Sequence, residues 1–279
     1  MATNHVSICG ILYEGWEALD LLGPLAVLHK AGSIAQRTGR GSATVFLAGQ
    51  EQRIYSSPQG VASYPQKTFG EVDEVDVLVC PGGFSSVVEA NNRTMLDFVK
   101  RVEPKAKMVT SVCSGAAIYA KAGILDAKTA TTNKAFYDML ITYGPRTKWI
   151  HKARFVLDGK FATSSGVSAG IDMAFAVVEK LWGADVKNDT AKEVGYAPAG
   201  ETEDPFAEIH GRISELSTDS VKYFSMTTGC LNRYKTRLWP TSPRRVSGLW
   251  LHCSYRQSSG LSAGRPARSA RYTCRLLKG

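Results

Sequence analysis

Cys113 is the residue of this 279-residue chain with the clearest potential for chemistry. It ends an apolar run, residues 108–112, and Ser114 and Gly115 follow it before a helical pattern begins. This order predicts a strand, a sharp turn and a helix, with the cysteine held clear of the sheet. Because the first N–H groups of a helix stabilise an anion, we expect the pKa of the Cys113 thiol to be lowered. From this segment alone, a reactive nucleophile and a buried structural cysteine are both open interpretations.

Two further segments hold residues that suit the same chemistry. Asp20 opens a helical stretch inside an apolar string, either as the helix N-cap or as a carboxylate that exchanges protons beside Cys113. Glu17, three residues earlier, is a second candidate for the proton-exchanging role. Gly82 and Gly83 follow an apolar strand, either as a plain turn or as backbone donors for developing negative charge.

Asn133 follows a predicted strand, either as a polar residue that lines the site or as an ordinary loop residue. The five histidines show no metal-ligand spacing, and the six cysteines include no C-x-x-C pair. Cys9 and Cys80 lie within apolar strands, so we expect them to be unreactive. Reduced thiols, with neither a signal-peptide pattern nor a membrane-span pattern, favour a cytoplasmic protein.

Alternating apolar and amphipathic segments must position these residues. Strands are predicted at 6–12, 43–48, 75–80 and 108–112, helices at 19–35, 94–102, 135–143, 169–181 and 185–194, and a hairpin at 154–163. This alternation predicts an α/β fold, with a mostly parallel sheet and helices on both faces. In such sheets ligands bind beyond the carboxyl ends of the strands, where Asp20, Gly82 and Cys113 should meet.

Charge divides the chain near residue 224. Residues 225–279 contain 11 Lys or Arg and no Asp or Glu, which leaves 23 basic and 25 acidic residues in residues 1–224. We therefore predict a folded domain over 1–224 that has no electrostatic reason to bind nucleic acid or an anionic membrane. For 225–279 we predict a basic, disordered tail, because no helical or strand period persists there. Nucleic-acid contact through that tail would be non-specific.

Five motifs occur in order and together resemble the ThiJ/PfpI superfamily, which has a flavodoxin-like, class I glutamine-amidotransferase-like fold. They are Leu-Asp-Leu-Leu-Gly-Pro at 19–24, Cys-Pro-Gly-Gly at 80–83, Thr-Ser-Val-Cys-Ser-Gly at 110–115, Ala-Gly-Ile-Leu-Asp at 122–126 with Ala-Thr-Thr at 130–132, and Ser-Gly-Val-Ser-Ala-Gly-Ile-Asp at 165–172. The first motif, with Asp20 where other branches have Glu, is most similar to the isocyanide (isonitrile) hydratase branch.

The resemblance implies a role for each matching residue. Cys113 matches the nucleophile, Asp20 the acid and base, Ser114 the residue after the nucleophile, and Gly83, next to Gly82, a backbone oxyanion donor. The resemblance also implies a small-molecule substrate, a homodimer, no membrane partner and no metal or organic cofactor. Asn133 is a departure, because many relatives have His there, and a Cys–His pair of the glutamine-amidotransferase type is therefore not supported.

The implied function is that of a hydro-lyase. Water is added to an isocyanide, R–N≡C, to give an N-substituted formamide through a Cys113 thioimidate, with a role in secondary metabolism. One alternative is another cysteine-dependent reaction of the family, such as glyoxalase-like hydration of methylglyoxal, which usually uses Glu and His where this chain has Asp20 and Asn133. The other is a non-catalytic ligand-sensing module, although residues 225–279 lack a helix-turn-helix pattern.

Overall fold

The computed structural model describes residues 4–200, 203–208, 249–255 and 272–278. By their internal contacts the residues of the chain form two units, Met1–Leu216 and Ser217–Gly279. All of the predicted site residues lie in the first unit. Among the described residues, no helix is both long and apolar enough to cross a membrane.

A seven-stranded sheet forms the centre of the first unit. From one edge to the other its strands are Phe155–Asp158 (β10), Phe161–Ser164 (β11), Met108–Val112 (β7), Val77–Cys80 (β6), His5–Leu12 (β1), Ser42–Gly49 (β2) and Lys67–Thr68 (β5). All neighbouring pairs are parallel except β10 with β11, which form the predicted hairpin. Every residue of β6 and β7 is buried, as expected for parallel strands covered on both faces.

Helices connect these strands and cover the sheet. In the described residues they are Ala18–Arg37 (α1), Ser86–Glu89 (α2), Arg93–Val102 (α3), Ala116–Ala122 (α4), Tyr137–Leu140 (α5), Ala169–Trp182 (α6) and Ala184–Val194 (α7). Short 3-10 turns lie at Phe69–Glu71, Glu103–Lys105, Cys113–Gly115 and Ile141–Tyr143. Helices α1, α6 and α7 pack on one another, and α4 contacts α2 and α3. The predicted α/β fold with a mostly parallel, helix-covered sheet is confirmed.

Short strands pair outside the central sheet. Tyr55–Ser56 (β3) is antiparallel to Ala62–Ser63 (β4), and Thr129–Ala130 (β8) is parallel to Lys148–Trp149 (β9). The β8 strand leads directly into the loop that carries Asn133, so this small pair helps to position that loop.

The second unit contains two strands that the sequence analysis did not expect. Leu249–Tyr255 (β12) and Tyr272–Lys278 (β13) pair in antiparallel register. Apolar and aromatic residues alternate along β12 at positions 249, 251, 253 and 255, which is the period of a strand. The prediction of a tail without strands is therefore wrong for these 14 residues. The predicted boundary at residue 224 and the rest of the tail lie outside the described residues.

Loops after β1, β6 and β7 meet at the carboxyl edge of the sheet. The Tyr13 hydroxyl donates to the carbonyl oxygens of Pro81 and Gly82, both at 2.7 Å. The Glu17 N–H also donates to the Gly82 carbonyl, at 2.9 Å. A Cβ atom on Gly115 would lie 2.5 Å from the Pro81 carbonyl oxygen, so the third loop touches the second. This edge brings the predicted site residues together.

Candidate active site

Cys113 stands at a sharp turn between β7 and α4, as the sequence predicts. Its backbone φ is 57°, in the left-handed region that residues other than glycine seldom occupy. One 3-10 turn, Cys113–Gly115, then leads into α4. A conformation of this kind persists only where the surrounding structure enforces it, and such conformations cluster at active sites. The turn therefore holds a strained cysteine at the carboxyl edge of the sheet.

Two glycines leave little space around this cysteine. A Cβ atom on Gly82 would lie 2.8 Å from Cβ of Cys113, and one on Gly166 would lie 2.7 Å from the same atom and 3.0 Å from Sγ. A larger residue at either position would collide with the turn. Cys113 is accordingly only 8% exposed, so little of its surface is open to a reagent. Gly166 was not among the predicted site residues, although a glycine just after a strand was a signal of close approach.

Asn133 faces the thiol. Its Nδ2 donates to Sγ of Cys113 at 3.1 Å, and its Oδ1 accepts from the N–H of Phe136 at 3.2 Å, which sets the orientation of the amide. The neighbouring Thr132 hydroxyl donates to the Cys113 carbonyl at 2.8 Å and fixes the loop to the turn. Of the two interpretations of Asn133, the structure supports a residue that lines the site.

Asp20 lies inside the first turn of α1 and is fully buried. The helix begins at Ala18 with Glu17 in the N-cap position, so Asp20 is not the cap. Its Oδ2 instead accepts from the Gly82 N–H at 2.9 Å. Its Oδ1 has no hydrogen-bond partner of normal geometry, although the Cys113 thiol is close enough to affect the pKa of the carboxyl.

Burial gives the Asp20 carboxyl an unusual protonation state. Loss of water around the carboxyl raises its pKa from 3.8 to about 8, and the charge of Glu17 contributes to the rise. Hydrogen bonds from Gly82 and Cys113 lower the pKa by a smaller amount. At neutral pH Asp20 is therefore mainly a neutral acid that can donate a proton.

The prediction that the Cys113 thiol has a lowered pKa is wrong. Burial raises the pKa, and the nearby Asp20 carboxyl raises it further. Hydrogen bonds from Ser114 and Asn133 lower it, but by less. Among the described residues, the groups that shift this pKa include no cation, and α4 is only seven residues long. A negative charge on Asp20 makes a second negative charge on the sulfur unfavourable, which is why this carboxyl raises the thiol pKa.

Neither glycine of the predicted oxyanion pair has a free N–H in this structure. The Gly82 N–H is bound to Asp20, and the Gly83 N–H donates to the Ser114 hydroxyl at 3.1 Å. That hydroxyl is also 3.1 Å from the Gly83 carbonyl, to which it donates. Asn133 Nδ2 donates to the sulfur, and hydrogen bonds from the backbone and side chain of Ser114 also lower the thiol pKa. Gly82 and Gly83 thus shape the site and hold Asp20 and Ser114.

The remaining candidates lie outside the reacting pair. The Glu17 carboxylate accepts from the Gln59 side chain at 2.7 Å and affects Asp20 only through its charge. Cys9 and Cys80 are fully buried within strands, and burial raises the pKa of both thiols. Within the described part of the chain, no three His, Cys, Asp or Glu side chains cluster as metal ligands would.

This arrangement can carry out nucleophilic catalysis with proton transfer at one carbon atom. The sulfur can act as a nucleophile, the Asp20 carboxyl can exchange a proton, and Asn133 donates a hydrogen bond to the sulfur. The four residues predicted to act beside one another, Cys113, Asp20, Ser114 and Asn133, are together in the structure.

Known proteins are similar to this chain in sequence and in fold. The chain is 32% identical to isonitrile hydratase from Pseudomonas putida over 189 residues, which are 68% of this chain and 78% of that protein. It is 30% identical to the HTH-type transcriptional regulator GlxA from Rhizobium meliloti (strain 1021) over 139 residues, 50% of this chain and 41% of that protein. The crystal structure of a ThiJ/PfpI family protein from Pseudomonas syringae superposes with a TM-score of 0.63 at 26% identity, covering 78% of this chain and 88% of that one.

The sequence profile of the DJ-1/PfpI family matches residues 6–180. This range begins in β1, takes in the loops that carry Asp20, Gly82 and Asn133, and ends in α6. Since it spans more than half of the chain and the cysteine turn lies at its centre, the chain belongs to the DJ-1/PfpI family.

Proposed function

We propose that this protein is an isocyanide hydratase, a hydro-lyase that converts R–N≡C and water to the N-substituted formamide R–NH–CHO. The observation that carries the proposal is the position of the fully buried Asp20 carboxyl, which has a pKa raised to about 8 and lies within hydrogen-bond reach of the Cys113 thiol. The terminal carbon of an isocyanide must gain both a nucleophile and a proton. A thiol next to a neutral carboxylic acid supplies both at one place.

In the first step, sulfur attacks the terminal carbon. Asp20 gives its proton to that carbon and takes the proton of the Cys113 thiol, so the acid is regenerated. The product is a covalent thioimidate, Cys113–S–CH=N–R, in which one C–S and one C–H bond are new. The Asn133 amide stabilises negative charge on the sulfur during the attack.

In the second step, water adds to the thioimidate carbon. Asp20 accepts a proton from water and delivers one to nitrogen, which gives a tetrahedral Cys113–S–CH(OH)–NH–R. The C–S bond then breaks as the hydroxyl forms the formamide carbonyl, and its proton returns to the sulfur through Asp20. Atoms and charges balance, because the sum is one isocyanide and one water to one formamide.

The narrow approach to the sulfur also supports this substrate class. A side chain at Gly82 or Gly166 would collide with Cys113, so both loops lie close to the sulfur. An isocyano group is linear and ends in the reacting atom, so it fits such an approach. The similarity to isonitrile hydratase supports the same reaction. A role in secondary metabolism would follow from the natural sources of isocyanides.

The direct test is to incubate the purified protein with an aryl isocyanide and to measure the formamide by mass spectrometry. We expect turnover by the wild type and none by Cys113→Ala. Quenching in acid during turnover should trap the thioimidate as a mass increase on the peptide that contains Cys113. Methylglyoxal is assayed in parallel, and turnover of it without isocyanide turnover would instead support the glyoxalase-like alternative. Binding without turnover of either compound would support a ligand-sensing module.

A further inference from the structure

Three exposed apolar side chains sit beside the residues that surround Cys113. Phe84, 70% exposed, directly follows Gly83, whose N–H binds Ser114. Val167, 37% exposed, directly follows Gly166, which lies against the sulfur. Phe136, 39% exposed, donates its N–H to the Asn133 amide. We call these three side chains, Phe84, Phe136 and Val167, the apolar rim.

The two aromatic members of the rim contact each other across two loops. The rings of Phe84 and Phe136 are 5.8 Å apart between centroids and inclined at 72°, which is an edge-to-face arrangement. One loop follows β6 and the other follows β8, so the contact joins the loop of Gly83 to the loop of Asn133. Phe136 thereby fixes the orientation of Phe84 and leaves most of the Phe84 ring exposed to a ligand.

Charge is absent from two of the loops that carry the rim. Residues 80–88 and 164–171 contain no Asp, Glu, Lys, Arg or His. On the third loop, Lys134 is 5% exposed, and its amine donates to the Thr131 hydroxyl. A ligand group at the rim therefore meets apolar surface, which favours a neutral apolar group over a charged one.

We propose that the apolar rim binds the R group of the isocyanide, and that the preferred substrates carry an aromatic or other bulky apolar R group. The inference rests on the proposed function and deepens it. Because Gly82 and Gly166 lie against Cys113, which is only 8% exposed, a bulky R group has little space beside the sulfur. The R group must then remain outside, where the rim lies.

The test compares 2-naphthyl isocyanide with methyl isocyanide, which shares the reacting group but reaches little of the rim. We expect a kcat/KM for the naphthyl compound at least tenfold higher in the wild type. Phe84→Ala should remove on the order of tenfold of that preference, mainly through KM, and leave methyl isocyanide nearly unchanged. Phe84→Leu keeps part of the apolar area and should therefore retain part of the preference for the naphthyl compound. Tyr64→Ala, at an aromatic residue 53% exposed on another loop, is the matched control and should change neither substrate.

The outcomes separate this inference from the proposed function. If the wild type hydrates neither compound, the proposed function is wrong. If it hydrates both with similar kcat/KM, the hydratase stands and the R-group subsite is wrong. The association state of Phe84→Ala is measured by light scattering in the same experiment. An equal loss on both substrates together with dissociation of a dimer would mean that the rim is an interface between copies of this chain, and would overturn the proposal.

Discussion

The reacting pair, Cys113 and Asp20, shows how far single residues could be interpreted from the sequence. Their identities followed from motifs at the ends of strands, and the structure brings them together. Their protonation did not follow, because it depends on burial. The loop that carries Gly166 covers the sulfur, and this contact is between residues more than 50 positions apart. A helix N-terminus alone suggested a lowered thiol pKa, whereas loss of water dominates and raises it.

Asp20 gives the reaction a pH dependence with a defined sign. The carboxyl must be protonated to donate to the isocyanide carbon, and its pKa is about 8. We expect kcat/KM to be nearly constant from pH 6 to 7 and to fall as the pH rises through about 8. Initial rates of formamide production in buffers from pH 6 to 10 check this. A rate that rises throughout that range would mean that the reactive form is the deprotonated pair.

Asp20→Asn should remove activity while making the fold more stable at high pH. Asparagine still accepts from the Gly82 N–H but cannot move a proton, so we expect a loss of at least about 10²-fold in kcat. Between pH 3.8 and about 8, the Asp20 carboxyl of the wild type is protonated in the folded state and ionised in the unfolded state. The wild-type free energy of unfolding therefore falls with rising pH over that window.

Asp20→Asn has no such proton, so its free energy of unfolding does not fall in this way. The difference in free energy of unfolding between the variant and the wild type should therefore grow by up to about 1.4 kcal/mol per pH unit between pH 3.8 and about 8. Urea unfolding of both proteins at pH 5, 6, 7 and 8 measures the difference. A difference that is independent of pH would mean that Asp20 is ionised in the folded protein. Near-normal turnover by a folded Asp20→Asn would direct attention to Glu17.

Asn133→Ala should slow the chemistry of the sulfur itself. The variant loses the Nδ2–Sγ hydrogen bond, so the thiol pKa should rise further and charge on sulfur should be less stabilised. We expect kcat to fall by about 10²-fold, as for loss of one donor to a developing anion. Alkylation of Cys113 by iodoacetamide, followed by peptide mass, should slow as well. Asn91→Ala, at an exposed asparagine bonded to the Val87 carbonyl, is the control that should change neither rate.

At the scale of elements, the spacing of apolar residues in the sequence predicted most ends of helices and strands to within two residues. Strand 108–112 and the start of the helix at residue 169 were predicted without error. The predicted helix 135–143 is divided instead into α5 and a 3-10 turn, Ile141–Tyr143, just before Gly144 and Pro145. The β12 and β13 strands were missed because their short apolar alternation stands within a basic, Ser- and Gly-rich segment, where composition argued against any regular element.

One buried ion pair joins α6 to the residue before β10 and to the segment after α7, next to the loop over Cys113. Asp172 in α6 is fully buried, bonds Arg154 at 2.7 Å, and accepts from the Tyr196 hydroxyl and the Ala199 N–H. The Arg154 carbonyl in turn accepts from the Ser165 N–H at 2.8 Å. Loss of the carboxylate would leave a mostly buried guanidinium without its partner, which is strongly unfavourable.

We therefore expect Asp172→Ala to lower the free energy of unfolding by about 3–5 kcal/mol. Asp189→Ala is the matched control, since it removes an exposed ion pair with Lys192 and should cost less than about 1 kcal/mol. Urea unfolding at one pH compares the three proteins. Equal, small losses in both variants would mean that the α6 carboxylate does not hold these elements together.

At the scale of the whole molecule, charge and chemistry are separated along the chain. The site residues lie within the unit Met1–Leu216, whereas 11 basic residues and no acidic ones lie in 225–279. Neither charge count nor motif content could predict the antiparallel strands β12 and β13, although all of the motifs lie before residue 225.

Removal of residues 225–279 should leave the chemistry intact and abolish adhesion to polyanions. A chain that ends at Phe224 keeps all of the site residues and has a net charge near zero. We expect its isocyanide turnover and melting temperature to match those of the full chain. Retention on heparin should be lost, and the retention of the full chain should weaken with salt. A large drop in melting temperature would show that the tail stabilises the catalytic domain.

The closeness of Gly82 and Gly166 to Cys113 also affects which other reagents can react with this sulfur. Because Gly82 and Gly166 lie against Cys113, which is only 8% exposed, we expect a bulky reagent such as glutathione disulfide to form mixed disulfides at this sulfur slowly. Hydrogen peroxide is small enough to enter, but it oxidises the thiolate, and the raised pKa keeps that form scarce. We therefore expect Cys113 to react slowly with cellular oxidants and bulky electrophiles. It should react faster with a narrow substrate that also receives a proton from Asp20.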